Sequence, residues 1–178
     1  METKVKRVSL GLIGLFLIGV GTTTIDSGML SQQFNKQVEV LNQWNGKWKS
    51  TGTLSIGRAP RKINFTSTTT TNWIVNGYFQ QSITINEKNQ ESRRFDHYNK
   101  HSRTFHQYNL AADGEYSFWT GKWNKKTRTM TWTIQAGGFV KGTIVDTFEN
   151  TNTIKSTINL TNGRGNVIFN LEEQRMRQ

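Results

Sequence analysis

The chain predicts an all-β fold, an antiparallel up-and-down β-barrel of about eight to ten strands with one N-terminal amphipathic helix, and three observations carry that reading. Beyond Gly46, apolar residues alternate with threonine and lysine at period two in run after run. Asn76-Gly77, Asp113-Gly114 and Asn162-Gly163 punctuate these runs with residues that tolerate the positive φ of two-residue hairpin loops. A single proline in 178 residues leaves almost nothing to interrupt strand pairing.

The chain opens with a basic start, Lys4, Lys6 and Arg7, followed by a largely apolar run from Val8 to Val20 and small or polar residues from Gly21. A spanning helix needs about 20 apolar residues and a signal core roughly 7 to 15, so residues 1–25 read as a signal peptide, with an uncleaved N-terminal anchor as the alternative. The expectation is an exported protein, periplasmic or secreted, whose domain covers 30–178. Leu30, Phe34, Val38 and Leu41 then recur at helical spacing, with Gln33, Lys36 and Glu39 on the opposite face. That helix ends at Asn45-Gly46.

The first strand, 46–56, places Trp48, Ser50, Gly52, Leu54 and Ile56 on one face and Lys47, Lys49, Thr51 and Thr53 on the other. Further β-rich runs follow at 61–72, 78–87, 91–98, 103–112, 114–124, 128–136, 138–149, 153–161 and 165–171. Closure of such a meander removes the edges that would otherwise template aggregation, and a barrel of this size can enclose a small ligand. A two-sheet sandwich is the alternative.

Composition narrows the function classes. With no cysteine, the chain forms no disulfide, thiolate zinc site or cysteine nucleophile. Loss of Lys4, Lys6, Arg7 and Glu2 with a leader lowers the net charge from +11 to +9, still strongly basic and suited to an anionic envelope surface. The basic residues are scattered, and with the export signal no nucleic acid partner is expected.

A short amphipathic helix leading into Gly46-Lys47-Trp48 on a first strand, followed by a meander of hairpins, resembles the lipocalin-like (calycin) barrels. The pattern is most similar to an uncharacterised, mostly bacterial branch of that superfamily, a domain of unknown function. Its motifs fall on Leu41 to Trp48, Asn76-Gly77, Asp96-His97-Tyr98, Asp113-Gly114 and Gly121-Lys122-Trp123, covering residues 30–175. The resemblance implies an apolar or amphipathic pocket and a structural barrel base of Gly46, Trp48 and Arg175, the arginine lying across the base tryptophan, with Arg164 or Arg177 as substitutes. It implies no established chemistry and no cofactor.

Within such a barrel Trp119, Trp123 and Trp132 come from adjacent strands and are expected to line an apolar cavity, with Tyr108, Gln81 or Ser117 as polar orienters. His97, His101 and His106 cluster on one predicted hairpin, but His97 and Asp96 point to opposite faces, so no metal site is expected. A haem-binding barrel of the related nitrobindin type calls for a histidine near the chain's end, and none lies beyond His106. No Gly-x-Ser-x-Gly elbow, phosphate loop or carboxylate pair selects an enzyme, so no catalytic residue is assigned. The leading expectation is a carrier of a small hydrophobic or amphipathic molecule. The alternatives are a cell-envelope interaction protein with a filled barrel, and a haem-binding or hydrolytic enzyme on the same barrel.

Overall fold

The computed structural model describes residues 36–57, 61–136 and 140–178. The expected leader at 1–25, the helical residues Leu30 and Phe34, and Phe139 lie outside them. Residues 36–42 form a helix, α1, and ten strands follow: β1 (Gly46–Ile56), β2 (Ile63–Ile74), β3 (Phe79–Asn86), β4 (Glu91–Asn99), β5 (Thr104–Leu110), β6 (Tyr116–Asn124), β7 (Thr129–Ala136), β8 (Lys141–Phe148), β9 (Thr153–Thr161) and β10 (Val167–Arg177). Each strand pairs antiparallel with its neighbours in sequence, and β1 pairs with both β2 and β10, closing the barrel. The fold is the expected closed meander, not a sandwich.

Two local expectations change. The β5–β6 and β9–β10 connections span 111–115 and 162–166, longer than two residues, because Asp113 and Asn162 fold back to accept hydrogen bonds from backbone N–H groups within each loop. In the second loop the positive φ falls on Gly165. Strand β10 runs on to Arg177, past the expected limit near Leu171, because Glu173, Arg175 and Arg177 keep its period of two with charged side chains that find partners.

The barrel has a packed end and an open end. At the packed end α1 acts as a plug: Leu41 and Trp44 are buried, Trp44 meets Phe148 edge-on with ring centroids 4.5 Å apart, and Trp123 and Phe148 are 5.8 Å apart. Trp48, Phe105, Trp119, Met130, Trp132, Ile144 and Ile154 complete this core. Each such side chain removed from water contributes roughly 1.5 to 3 kcal/mol, so the closed half holds the fold together and the open half is free of that task.

The structure also shows which way the strands face. Inward positions on β2–β5 are mostly polar: Thr69, Thr71, Gln80, Ser82, Arg94, Asp96 and Gln107. The alternate positions put Phe79, His97, His106, Tyr108 and Phe118 on the outside as a contiguous aromatic face. Burial lowers the pKa of both His97 and His106, with the neighbouring His106 adding to the effect on His97.

Candidate functional site

The open half of the barrel encloses a cavity of about 470 Å³, within the range of small-molecule sites. Phe65 on β2, Ile158 on β9, and Phe169 and Leu171 on β10 form an apolar wall. Ser67 and Thr69 beside Phe65 on β2, Ser82 and Thr84 on β3, Ser92 and Arg94 on β4, and Gln107 and Asn109 on β5 supply a polar lining that Glu173 and Arg175 continue on β10, with Leu110 and Ile144 as apolar interruptions. Small hydroxyl residues keep this space open, where larger side chains at the same inward positions would fill it.

Several of those hydroxyls are paired across strands. Thr71 and Ser82 are linked through their hydroxyls at 2.8 Å, as are Thr69 and Thr84, and Arg94 Nη2 donates to Ser82 Oγ at 3.2 Å. Between the cavity and the packed end lies a belt of buried charge. Arg94 Nε sits 2.8 Å from Asp96 Oδ2, an ion pair whose angle falls outside hydrogen-bond geometry. Arg175 Nε donates to Glu173 Oε2 at 2.8 Å, and its Nη2 lies 3.8 Å from Asp146 Oδ1. Asp146 also accepts from Ser156 Oγ at 2.5 Å and from Trp132 Nε1 at 3.3 Å.

Burial pushes the Asp96 carboxyl up to about 6, a rise that the Arg94 cation opposes and the Asp146 charge reinforces. Burial disfavours the Arg175 cation, but Glu173 and Asp146 outweigh that, and it holds its proton more tightly than an ordinary arginine.

The residues singled out by sequence stand elsewhere. Trp119 and Trp132 belong to the packed core, Trp119 donating to Ser117 Oγ and Trp132 to Asp146, while Trp123 packs against Trp44 and Phe148 at the plugged end. Tyr108 lies on the outer face, stacked on Phe118 with ring centroids 4.9 Å apart. Gln81, one position from the inward Gln80, also faces out. None of the five lines this cavity, although Trp119 and Ser117 border a separate recess of about 310 Å³ together with Asn109 and Leu160. The parity of β3 to β6 explains the displacement, because both faces of these strands carry aromatic rings and the ring-rich face turned out to be the exterior.

At the barrel base Trp48 is buried and donates its indole N–H to the Trp44 carbonyl at 2.7 Å. The arginine across it is Arg177, with its guanidinium carbon 4.2 Å from the ring centroid; Arg175 instead serves the buried charge belt. Arg177 also donates to the carbonyls of Asn45, Gln43 and Thr151. Gly46, at φ 112°, leaves room for that guanidinium, since a Cβ there would meet Arg177 Nη1. Among the described residues, no three His, Asp or Glu side chains converge to hold a metal ion.

No family model matches the chain, and no curated protein matches it in sequence. Among solved structures, the S-type phycobiliprotein lyase CPES from Guillardia theta is similar in fold, with a TM-score of 0.54 at 9% identity over 86% of this chain and 97% of the lyase. A protein of unknown function of the DUF3598 family from Nostoc punctiforme matches more distantly, with a TM-score of 0.26 at 6% identity over 80% of this chain and 99% of that one. The barrel shared with the lyase is lipocalin-like, and at this identity the likeness is one of fold.

Proposed function

We propose that this barrel is a carrier that binds one small amphipathic molecule in its open half and does not transform it. The observation that carries the reading is the cavity's mixed lining, apolar at Phe65, Ile158, Phe169 and Leu171 and polar at Arg94, Gln107 and Arg175. A purely apolar ligand would leave the polar lining desolvated without partners, which costs free energy. The fold shared with a phycobiliprotein lyase supports a ligand-handling barrel and puts bilins among the first molecules to try. On the same reading the protein works outside the cytoplasm, its first 25 residues serving as the export signal, and its basic exterior favours an anionic envelope surface.

The test begins with protein purified from an exporting host, by native mass spectrometry and organic extraction, followed by titration with the recovered molecule. Ser67→Trp, which fills the cavity from the inside, is expected to weaken binding at least tenfold while leaving the far-ultraviolet circular dichroism unchanged. Tyr108→Ala, on the exterior, is expected to leave affinity unaltered. Equal affinities in the wild type and Ser67→Trp would place the ligand outside the barrel and sink the carrier reading.

A further inference from the structure

The belt of buried charge beneath the cavity is short of hydrogen-bond donors, and a proton on Asp96 supplies one. Gln80 on β3 is directly opposite Asp96 on β4, and side chains so placed have Cβ atoms about 4.5 to 5.5 Å apart. Gln80 gives its amide N–H to the Leu41 carbonyl at 2.9 Å, which fixes the sense of that amide and leaves Oε1 as its unpartnered end. That oxygen and Asp96 Oδ1 are both sealed from solvent, and neither receives a hydrogen bond from the described residues. As a carboxylate Asp96 has nothing to offer Gln80. As a carboxylic acid it has one O–H to give, and the acceptor on the next strand has no other donor. The same burial pushes the Asp96 pKa up to about 6.

Arg94 connects that proton to the cavity. Its Nε lies 2.8 Å from Asp96 Oδ2 and its Nη2 donates to Ser82 Oγ, while Nη1 makes no hydrogen bond with the described residues and is not sealed. The side chain points inward and is 16% exposed, so that nitrogen opens on the cavity that Arg94 helps to line. One guanidinium thus has an acid on one side and the ligand's space on the other. The other charges acting on Asp96 are Asp146 on β8, which raises its pKa, and Arg175 on β10, which lowers it and is itself paired with Glu173. The flanking strands β3 and β5 present the neutral amides of Gln80 and Gln107, and His97 and His106 lie on the outer face. With Asp96 ionised, Arg94 and Arg175 stand among three acids, and an anionic ligand enlarges the excess. With Asp96 protonated, two cations face two acids, and the charge of Arg94 has no carboxylate beside it.

We infer that Arg94 anchors an anionic head group in the cavity, and that Asp96 takes up a proton as the anion binds. Acid and ligand compete for one guanidinium, so the anion is held best when Asp96 is neutral. This rests on the carrier reading and adds to it the charge of the ligand and a means of release. Affinity for an anion rises as pH falls through the range in which Asp96 gains its proton, and as pH rises the anion and the proton leave together. A neutral ligand with the same tail is indifferent to the state of Asp96.

Decane-1-sulfonate stays ionised throughout, so a pH effect on its binding reports the protein's protons, and decan-1-ol supplies the same tail without charge. Their affinities for the full barrel are measured by isothermal titration at about pH 5.5 and about pH 8, in about 0.15 M salt to screen the exterior and below micellar concentrations. The sulfonate is expected to bind at least fivefold more tightly at the lower pH, and decan-1-ol to change less than twofold. Asp96→Asn is expected to bind the sulfonate at the higher pH as tightly as the wild type does at the lower, with the pH dependence reduced below twofold. Arg94→Met is expected to lose at least fivefold in sulfonate affinity at the lower pH, and to lose more for the sulfonate than for decan-1-ol. Circular dichroism checks that each variant folds, and since the two act in opposite directions, either one alone is decisive. The histidines titrate in the same range and are untouched by Asp96→Asn, so a pH dependence that survives in that variant would assign the effect to them and overturn the proton linkage. An Arg94→Met loss no greater for the sulfonate than for decan-1-ol would overturn the anchor while the carrier stands. No binding of either probe would overturn both readings for ligands of this size.

Discussion

Asp96 is buried as a carboxyl beside a single arginine, and one of its oxygens has no donor among the described residues. Its pKa of about 6 lies above the ordinary 3.8, so the folded state holds the proton more tightly than the unfolded chain does. The stability this contributes is fully present below about pH 4 and is lost as pH rises through 6. The shift corresponds to about 2–3 kcal/mol. Asp96→Asn cannot titrate there, so its stability relative to the wild type is expected to improve by about that amount between pH 4 and 7. Any constant offset from leaving Arg94 without its acid does not alter this change. Urea midpoints of both proteins across that range measure it, and a gap that stays constant with pH would show that burial does not tax the Asp96 carboxylate.

At the scale of the strand, β6 and β7 depend on a missing side chain. Gly121 lies opposite Trp132, and a Cβ at 121 would meet the six-membered ring of that tryptophan. Gly121→Ala is expected to cost about 1–3 kcal/mol by overpacking, seen as a lowered urea midpoint at an unchanged slope. Trp132→Leu should relieve part of it in the double variant, whereas additive losses would mean that the ring is not what the new methyl meets. Strand existence was legible in the sequence because Trp48, Met130, Trp132 and Ile154 alternate with threonine and lysine around a buried face. The facing of β3 to β5 was not, because most of their inward residues are polar, Gln80, Ser82, Asp96 and Gln107 among them, and their outward ones include Phe79, His97 and Tyr108. Hydrophobic alternation assigns the wrong side when the interior is polar. The far end of β10 escaped for a related reason: Arg175 and Arg177 look like a solvated tail until their partners Asp146 and Trp48, distant in sequence, are brought beside them.

Across the whole molecule the two halves of the barrel divide the work. The plugged end concentrates the large apolar side chains and α1, and the open end keeps hydroxyls, amides and a few phenylalanines around empty space. That division explains how an interior with five charged side chains coexists with a stable fold: the charges sit in paired sets above a core that does not need them. It also explains why the core tryptophans, which the sequence put forward as pocket residues, serve packing.

That segregation has an optical consequence. All six tryptophans, at positions 44, 48, 73, 119, 123 and 132, lie off the wall of this cavity, where the aromatic side chains among the described residues are Phe65 and Phe169. Intrinsic emission excited at the red edge therefore reports on the plug and its surroundings. It is expected to move to longer wavelength when the chain unfolds, in step with the loss of circular dichroism, and to stay nearly constant when a colourless guest fills the hollow. A screen that followed that emission would score a saturated barrel as empty, whereas heat release or a melting shift would register the same guest. A marked spectral change with such a guest would mean that occupancy is felt at the plug, and that the two halves are mechanically joined.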